Sequence, residues 1–400
     1  MNYPTLIVQA SPRSWTGGPD LCLNPVEGIP TVVHTILRAL EAFPQSSLIV
    51  AAPTFASGGI LDSLLTGLNT DRVRIHCGQD DSPLSRILNA TSDLVDTDYL
   101  VRIDGLHFCF DIACAQAMLS QAQTGNLDAV KLPDDFPVQF GSDIYRVGAL
   151  RRLDSLLTTE EQRVFRVHPK FYLFAHPQQF RCAYADILPQ YDDAFLLQCR
   201  ERAKAIYAVP RLEVNDQRLW VGDQLSFHYE LAAHYLQPSM KVLDIACGDG
   251  YGARKLSNFV TEMHGGDIDV DNVEHARSLT KEPNVFFHVE DVTSTSFASA
   301  SFDAVLSLET IEHVDDNACL KELQRILKTG GTLILSTPQN RLGHIPVNAA
   351  HRQEYSLEQI TTLCARYFRI RKTIGIKAGR VVIDGDPVGA NVMLICEKIQ

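Results

Sequence analysis

The sequence predicts an α/β protein with two units, each built on a mostly parallel sheet that helices cover on both faces. In both halves, short apolar runs alternate with helical segments, and several of these runs end in an acidic residue or in glycines. The length of 400 residues also exceeds what a single hydrophobic core usually supports. In such sheets, ligands bind beyond the carboxyl ends of the strands.

The N-terminal elements follow from apolar runs and from helical spacing of apolar residues. The predicted strands are Thr5–Gln9, Ser47–Ala51, Arg72–His76 and Tyr99–Asp104, and the predicted helices are Pro30–Ala42, Leu84–Thr91 and Phe195–Ile206. Pro210 disfavours continuing the last helix, so the join is expected near Tyr207–Arg211. This divides the chain into domains of residues 1–208 and 209–400.

The C-terminal elements show the same alternation. The predicted strands begin at Lys241 and cover Met263–Asp267, Val285–Asp291, Phe302–Leu308 and Thr332–Ser336, and the predicted helices are Ser226–Tyr235 and Asn317–Leu327. Such an arrangement predicts a Rossmann-like sheet with its ligand at one edge.

A glycine-rich turn directly follows the strand that begins at Lys241. Gly248, Gly250 and Gly252 leave room for a ligand to approach the backbone, and their spacing differs from the G-x-G-x-x-G of pyridine dinucleotide sites. Asp244 stands before the turn, where a cationic ammonium group would favour a carboxylate. Asp267 ends the next strand, where a ribose-binding carboxylate is expected. The turn and the two acids together predict a nucleoside cofactor site.

These motifs resemble those of class I S-adenosylmethionine-dependent methyltransferases. The matching segments, in the order of that family, are Asp244–Gly252, Gly266–Asp269, Glu290–Asp291, Ser301–Asp303, Glu309–Val314 and Ser336–Pro338. The resemblance implies S-adenosylmethionine as cofactor and the following cofactor-binding residues: Tyr229, Asp244, Ala246, Gly248, Gly250, Asp267, Ile268, Asp291, Val292 and Glu309. Gly248 and Gly250 would line its methionine end, Asp267 its ribose, and Asp291 with Val292 its adenine.

Methyl transfer to an oxygen also requires alignment of the acceptor and removal of its proton. Histidine suits the role of base because its ordinary pKa lies near neutrality. Three histidines fall in segments expected above the sheet, namely His313, His344 and His351. Two alternatives remain open, namely that His313 fixes a local turn and that His344 is solvated in a loop. His351 is favoured by the polar groups of Asn348, Glu354 and Tyr355 near it in the sequence.

The segment Asn348–Glu358 is similar to an N-P-F-H-x-x-E-Y segment of methyltransferases from polysaccharide and sugar biosynthesis. Ala349 and Ala350 stand where that pattern has Pro and Phe. This resemblance implies a sugar, nucleotide-sugar or glycan acceptor and a role in surface polysaccharide biosynthesis.

The N-terminal half resembles the cytidylyltransferases of the spore-coat polysaccharide type, which implies a nucleotidyltransferase-like sheet. The resemblance rests on Val8–Ala10, Gly28–Pro30, Ile49–Ala52, Gly78–Asp81, Val101–Gly105 and Val167–Pro169. Ser11, Thr16 and Asp20 stand where the family has cations that bind the triphosphate, which predicts a degenerate domain. Two alternatives remain open: a bifunctional enzyme that makes a CMP-sugar from CTP with Mg²⁺, and a non-catalytic scaffold that binds a nucleotide-sugar.

Composition narrows the class of protein. A net charge of −12 without a basic cluster argues against a nucleic-acid partner. No apolar run is long enough to span a membrane, and the N-terminus lacks the basic region of a signal peptide. The ten cysteines are scattered, so reduced thiols in the cytoplasm and no metal site are expected. A homodimer is compatible with folds of this type.

Overall fold

The structure is a computed structural model that describes residues 3–11, 20–68, 70–207, 224–343, 348 and 350–399. The chain divides into two compact units, Met1–Val209 and Pro210–Gln400. Each unit has its own sheet and its own hydrophobic core.

The N-terminal unit contains nine strands and eight helices within its described residues. Its strands are β1 (Thr5–Gln9), β2 (Pro25–Val26), β3 (Ile29–Pro30), β4 (Leu48–Pro53), β5 (Val73–Gly78), β6 (Tyr99–Asp104), β7 (Ala129–Lys131), β8 (Asp143–Arg146) and β9 (Cys182–Tyr184). Its helices are α1 (Thr31–Ala42), α2 (Ile60–Gly67), α3 (Pro83–Ala90), α4 (Ile112–Thr124), α5 (Val147–Leu156), α6 (Arg163–Val167), α7 (Pro169–Ala175) and α8 (Asp193–Tyr207). Short 3-10 turns cover Leu21–Leu23, Thr54–Ala56 and Val138–Phe140.

Seven of these strands form a mixed sheet in the order β5-β4-β1-β6-β8-β7-β9. Strands β5, β4, β1 and β6 are parallel, and β8 runs antiparallel to both β6 and β7. The parallel part coincides within about two residues with the strands predicted from apolar runs. The short strands β7, β8 and β9 were not predicted.

The C-terminal unit contains eight strands and five helices within its described residues. Its strands are β10 (Lys241–Ile245), β11 (Glu262–Asp267), β12 (Val285–Val289), β13 (Phe302–Leu308), β14 (Leu327–Pro338), β15 (Arg369–Lys377), β16 (Val381–Val382) and β17 (Asn391–Glu397). Its helices are α9 (Gln224–Ala233), α10 (Tyr251–Leu256), α11 (Val270–Leu279), α12 (Asp316–Ile326) and α13 (Leu357–Cys364). Short 3-10 turns cover Ser257–Phe259 and Ile311–His313.

All eight strands form one sheet in the order β12-β11-β10-β13-β14-β17-β15-β16. The five strands from β12 to β14 are parallel, while β17 runs antiparallel to β14 and β15 runs antiparallel to β17. After β10 the chain adds β11 and β12 on one side and then returns to add β13 on the other. This reversal of direction between β10 and β13 is the point at which open parallel sheets bind ligands.

The two faces of this sheet pack against different helices. Leu243 and Ile245 of β10 join the cluster that includes residues of α12 and α13. Val242 of the same strand joins the cluster that includes residues of α9, α10 and α11. Because side chains alternate along a strand, Asp244 lies on the face of Val242, under α9 and α10.

Most predicted elements of this unit are observed within a few residues. Strand β12 ends at Val289, so Asp291 lies two residues beyond it rather than at its last position. The antiparallel strands β15 and β17 were not predicted. No helix among the described residues is both long enough and apolar enough to cross a membrane.

Candidate functional site

The candidate site lies at the carboxyl ends of the adjacent strands β10 and β13, which pair in parallel from Val242 with Ala304 to Ile245 with Ser307. The first residue after each strand has a positive φ although it is not glycine, 61° at Ala246 and 51° at Glu309. Such backbone conformations are disfavoured for side chains with a Cβ and concentrate at functional sites. Two such residues at neighbouring strand ends single out this edge as the candidate site.

The glycine-rich turn is packed against its surroundings. Gly248 has a φ of 56° and its amide donates a hydrogen bond to Asp267 Oδ2 at 2.8 Å. A Cβ on Gly252 would lie 1.9 Å from Tyr229 Cζ, so no other residue fits there without moving that ring. Gly250, which precedes α10, is buried beneath the Phe287 ring. The turn therefore keeps its backbone close to the strand ends.

Asp244 is buried beneath this turn with 1% of its surface exposed. Its Oδ2 accepts a hydrogen bond of 3.0 Å from the Tyr229 hydroxyl. Burial raises the pKa of Asp244 to about 7, the Tyr229 hydrogen bond lowers it, and the nearby Asp267 raises it further. A carboxyl group held in this way favours a cation close to it, because a positive charge relieves the cost of burying its ionised form.

Asp267 ends β11, the strand next to β10, and is also buried. One carboxylate oxygen accepts from the Gly248 amide and the other from the Asp269 amide at 2.9 Å. These two hydrogen bonds fix the carboxylate between the glycine-rich turn and the start of α11. The adjacent Ile268 has 68% of its surface exposed, which leaves an apolar side chain beside the carboxylate.

Asp291 and Val292 follow β12 at the same edge of the sheet. Asp291 is exposed, and its Oδ1 accepts hydrogen bonds from the Thr293 amide and hydroxyl at 2.8 and 2.7 Å. The Val292 side chain is buried in the core with α12. Any contact of Val292 with a ligand would therefore be made by its backbone.

Glu309 is held by a polar network that connects three elements. The Ser336 hydroxyl donates to Glu309 Oε1 at 2.8 Å, and Asn391 Nδ2 of β17 donates to Oε2 at 2.7 Å. Because the single Ser336 proton goes to Glu309, His228 Nδ1, at 3.2 Å, donates to Ser336 Oγ. His228 Nε2 then carries a lone pair, and it has no hydrogen-bond partner among the described residues.

Burial shifts the pKa values of this network in opposite directions. Burial raises the pKa of Glu309 to about 7, while hydrogen bonds from Ser336 and Asn391 and the charge of His351 lower it. Burial lowers the pKa of His228 to about 4, so this imidazole is neutral at neutral pH. Neutral His228 therefore offers an acceptor inside the unit.

Of the three histidines predicted to act on the acceptor, the structure brings two together. His313 is exposed and lies in the 3-10 turn after β13, and His351 is nearly buried in the segment that precedes α13. Their ring centroids are 4.9 Å apart. His344 lies outside the described residues.

Two features of the site were not predicted from the sequence. Asn391 reaches Glu309 from β17, a strand with no recognised motif and far along the chain. His228 belongs to the predicted helix Ser226–Tyr235, but no local signal indicates its buried position against Ser336. The pairing of β14 with β17, which sets Asn391 opposite Pro338, brings Asn391 to this edge of the sheet.

The comparisons with known proteins concern the C-terminal unit. Residues 243–335 match the family model described as "Methyltransferase domain". The "Probable S-adenosylmethionine-dependent methyltransferase" of Mycolicibacterium smegmatis is 31% identical over 145 residues, which cover 34% of this chain and 55% of the relative. A "Ubiquinone biosynthesis O-methyltransferase" of Parvibaculum lavamentivorans is 29% identical over 134 residues, which cover 32% of this chain and 53% of the relative.

The chain thus spans about half the length of these curated relatives. Among solved structures, the PH0226 protein from Pyrococcus horikoshii is 23% identical with a TM-score of 0.38, and the match covers 46% of this chain and 93% of that one.

Proposed function

We infer that this chain, whose C-terminal unit contains a class I S-adenosylmethionine-dependent methyltransferase domain, transfers a methyl group to an oxygen of its acceptor. The observation that carries this inference is the placement of two buried carboxylates, Asp244 and Asp267, at the ends of adjacent strands around the glycine-rich turn. The acceptor, the residues that bind it and the role of the N-terminal unit are proposals.

The residues at this edge fit the cofactor chemically. When bound, S-adenosylmethionine supplies an already activated methyl group on a sulfonium. Asp244 provides the negative charge that its cationic methionine end favours, and the Asp267 carboxylate accepts hydrogen bonds of the kind that ribose hydroxyls donate. The exposed Ile268 offers an apolar surface for a base, and no side chain of the turn fills the space above Gly248.

The remaining task of the protein is to align the acceptor oxygen and to take up its proton. His313 and His351 are proposed to engage the acceptor hydroxyl through their Nε2 atoms. His313 follows β13, the parallel neighbour of β10, and His351 comes after β14, the parallel neighbour of β13. We keep His344 as a further candidate from the sequence.

Calorimetric titration of the full chain with S-adenosylmethionine tests the cofactor site. We expect Asp267→Ala to abolish binding because it removes the hydroxyl acceptor and releases the Gly248 amide. Glu274→Ala, which removes an exposed carboxylate from α11, is the matched control and should bind like the wild type. Absence of binding by the wild-type chain would refute the proposed function.

For the acceptor, we propose a hydroxyl or phosphate oxygen of a sugar, nucleotide-sugar or glycan, as the similarity of Asn348–Glu358 to sugar-type methyltransferases implies. One relative is named a ubiquinone biosynthesis O-methyltransferase, which favours an aromatic hydroxyl as the second candidate. Incubation with labelled S-adenosylmethionine and matched panels of sugar nucleotides and dihydroxybenzoates distinguishes the two. Label transfer to the aromatic panel alone would exclude the sugar acceptor.

The N-terminal unit is proposed to be a degenerate cytidylyltransferase-like domain that binds a nucleotide-linked sugar or has no ligand of its own. Arg102, the cation near the end of β6, pairs with Asp104 at 3.0 Å and with Asp143 at 3.5 Å. Lys170 also pairs with Asp143, at 3.4 Å. These carboxylates neutralise the positive charge of Arg102 and Lys170, which the binding of a triphosphate would require.

A pyrophosphate-release assay with CTP, Mg²⁺ and a panel of sugar phosphates tests this assignment. We expect no release above the level of a heat-inactivated sample. Turnover that depends on CTP would instead support the bifunctional alternative, in which this unit makes a CMP-activated sugar.

A further inference from the structure

Three side chains that can bind metal ions meet beside the cofactor edge. Glu312 and His313 belong to the 3-10 turn after β13, and His351 lies in the segment before α13. One ligand atom from each of the three lies within 4.8 Å of those of the other two. The two segments are fixed to each other by the Arg352 amide, which donates to the Glu312 carbonyl at 2.8 Å.

The hydrogen bonds of the two histidines determine which ring nitrogen carries the lone pair. His313 Nδ1 lies 3.1 Å from the Ala350 carbonyl oxygen, which can only accept, so Nδ1 donates. His351 Nδ1 lies 2.8 Å from Glu354 Oε1 and likewise donates to it. Asn348 Nδ2 donates to His351 Nε2 at 3.1 Å, and the Asn348 amide is oriented because its Oδ1 accepts from the Ala350 amide. Both Nε2 atoms therefore carry lone pairs.

This is the arrangement found around histidines that bind metal ions. Such a histidine donates its other ring N–H to a carboxylate or a backbone carbonyl, which fixes the tautomer and the orientation of the ring. Glu354 serves His351 in this way and the Ala350 carbonyl serves His313. Glu354 is itself held by Asn340 Nδ2 at 2.8 Å.

The third side chain is a buried carboxylate in a negative environment. Glu312 has 1% of its surface exposed, and its Oε2 accepts from the Thr337 hydroxyl at 2.9 Å. The carboxylates of Glu309 and Glu354 add negative charge around Glu312. A cation beside Glu312 would compensate a carboxylate that is buried in this way.

We propose that Glu312, His313 and His351 bind a divalent transition metal ion, with Zn²⁺ or Co²⁺ as the class that fits. Two imidazoles and one carboxylate form a ligand set known for zinc sites with an open position, whereas Mg²⁺ and Ca²⁺ prefer oxygen ligands alone. Binding requires the Asn348 amide to release His351 Nε2, which a side-chain rotation accomplishes.

The open position of this ion gives the site a use that rests on the proposed function. An acceptor hydroxyl bound there would lose its proton to solvent more readily, because the ion stabilises the resulting oxygen anion. His313 and His351 would then engage the acceptor through the ion rather than as proton acceptors.

The test uses the full chain without affinity-tag histidines, stripped of metal with a chelator. It is titrated with CoCl₂, followed by visible absorption, and with ZnCl₂ in a calorimeter. We expect one equivalent of each ion to bind. The visible absorption of the Co²⁺ form should show the bands of an ion that nitrogen and oxygen atoms coordinate. Less than one equivalent, or the intense charge-transfer bands of cysteine thiolate ligands, would overturn the proposal.

Three variants locate the ion. His313→Ala changes an exposed residue, so its fold should persist, and we expect it to weaken Zn²⁺ binding at least tenfold. Glu354→Gln removes a group that supports His351 and should weaken binding by about 10- to 100-fold. His275→Ala removes an exposed histidine of α11 and should bind like the wild type. Unchanged affinity in His313→Ala would place the ion elsewhere and refute the site.

A parallel titration with S-adenosylmethionine separates this proposal from the proposed function. Metal binding without S-adenosylmethionine binding would leave the metal site standing and remove the proposed function. Binding of S-adenosylmethionine without metal would do the opposite.

Discussion

At the residue scale, the site depends on carboxylates that the fold buries at a cost. Asp244 is the clearest case, since it lies on the α9 face of a core strand and has one side-chain donor, the Tyr229 hydroxyl, among the described residues. The folded unit therefore prefers its protonated form, whereas a bound cation would favour the ionised form. Stability and the binding of a cation thus favour opposite protonation states of this carboxyl group.

Asp244→Asn should change how stability depends on pH. The pKa of Asp244 is raised to about 7 in the folded unit. Its contribution to the free energy of unfolding is therefore fully present below its ordinary pKa near 4 and is lost as pH rises towards 7. With a rise of about three units, the loss is roughly 4 kcal/mol in the wild type and absent in the variant. Urea unfolding from pH 4 to 8 measures this difference.

Asp303→Asn is the control with the opposite sign. Burial raises the pKa of Asp303, but Lys328, at 2.7 Å, and the Lys241 amide lower it by more, so its contribution is lost as pH falls. If the difference in unfolding free energy between Asp244→Asn and the wild type stayed constant from pH 4 to 8, burial would not be the cause of the raised pKa.

Gly252→Ala should destabilise the C-terminal unit by about 1–3 kcal/mol, because the new methyl group overlaps the buried Tyr229 ring. S-adenosylmethionine binding should weaken in the same variant, since the ring supports Asp244. Gly67→Ala is the matched control, because a Cβ there meets no atom within 4 Å, and it should be neutral or slightly stabilising. Thermal unfolding of both variants makes the comparison, and equal effects would rule out the steric cause.

At the scale of elements, the antiparallel pair β15 and β17 completes a sheet that parallel strands begin. Met393 in β17 is fully buried in the cluster shared with α9, α10 and α11. The strand therefore contributes both core packing and the Asn391 contact to Glu309.

Met393→Ala should cost about 2–5 kcal/mol in the free energy of unfolding, as other large-to-small changes in cores do. Ile399→Ala, which truncates a side chain with 45% of its surface exposed, should change stability by less than about 0.5 kcal/mol. Chemical denaturation of the two variants provides the measurement. Similar costs for both would mean that β17 is not part of the cooperative core.

The extent to which the elements could be predicted follows from their composition. Strands such as Phe302–Leu308 are mostly apolar, and this one was predicted with its observed bounds, because parallel strands are buried on both faces. Strand β15, with the sequence Arg-Ile-Arg-Lys-Thr-Ile-Gly-Ile-Lys, mixes charges with apolar residues and gives no such signal. The acids Asp244 and Asp267 could be found because each stands at or next to the carboxyl end of a strand that the sequence predicts. The grouping of Glu312, His313 and His351 could not be predicted, since Glu312 and His351 meet only through the tertiary fold.

At the scale of the whole molecule, the two units have separate cores and different evidence for function. The methyltransferase domain lies within the C-terminal unit, and the expected ligand of the N-terminal unit rests on resemblance alone. A ligand that binds one unit should slow hydrogen exchange mainly in the segments that contact it.

Hydrogen exchange of the full chain should therefore respond to S-adenosylmethionine in the C-terminal unit. We expect protection of peptides that contain residues 244–252, 266–269 and 309–313, and none in peptides of β1 to β9. CTP with Mg²⁺ should protect no segment if the N-terminal unit is degenerate. Protection near Arg102 by CTP would contradict that assignment.

The hydrogen bond between Asn391 and Glu309 has a consequence for the order in which the site forms during translation of the chain. A ribosome that adds about 5–20 residues per second needs on the order of ten seconds to proceed from Gly248 to Asn391. During this interval the glycine-rich turn and Glu309 already exist, but β17 is missing from the sheet and Glu309 lacks one of its donors. The nascent site therefore matures late, and β14 presents an unpaired edge to chaperones until β17 arrives.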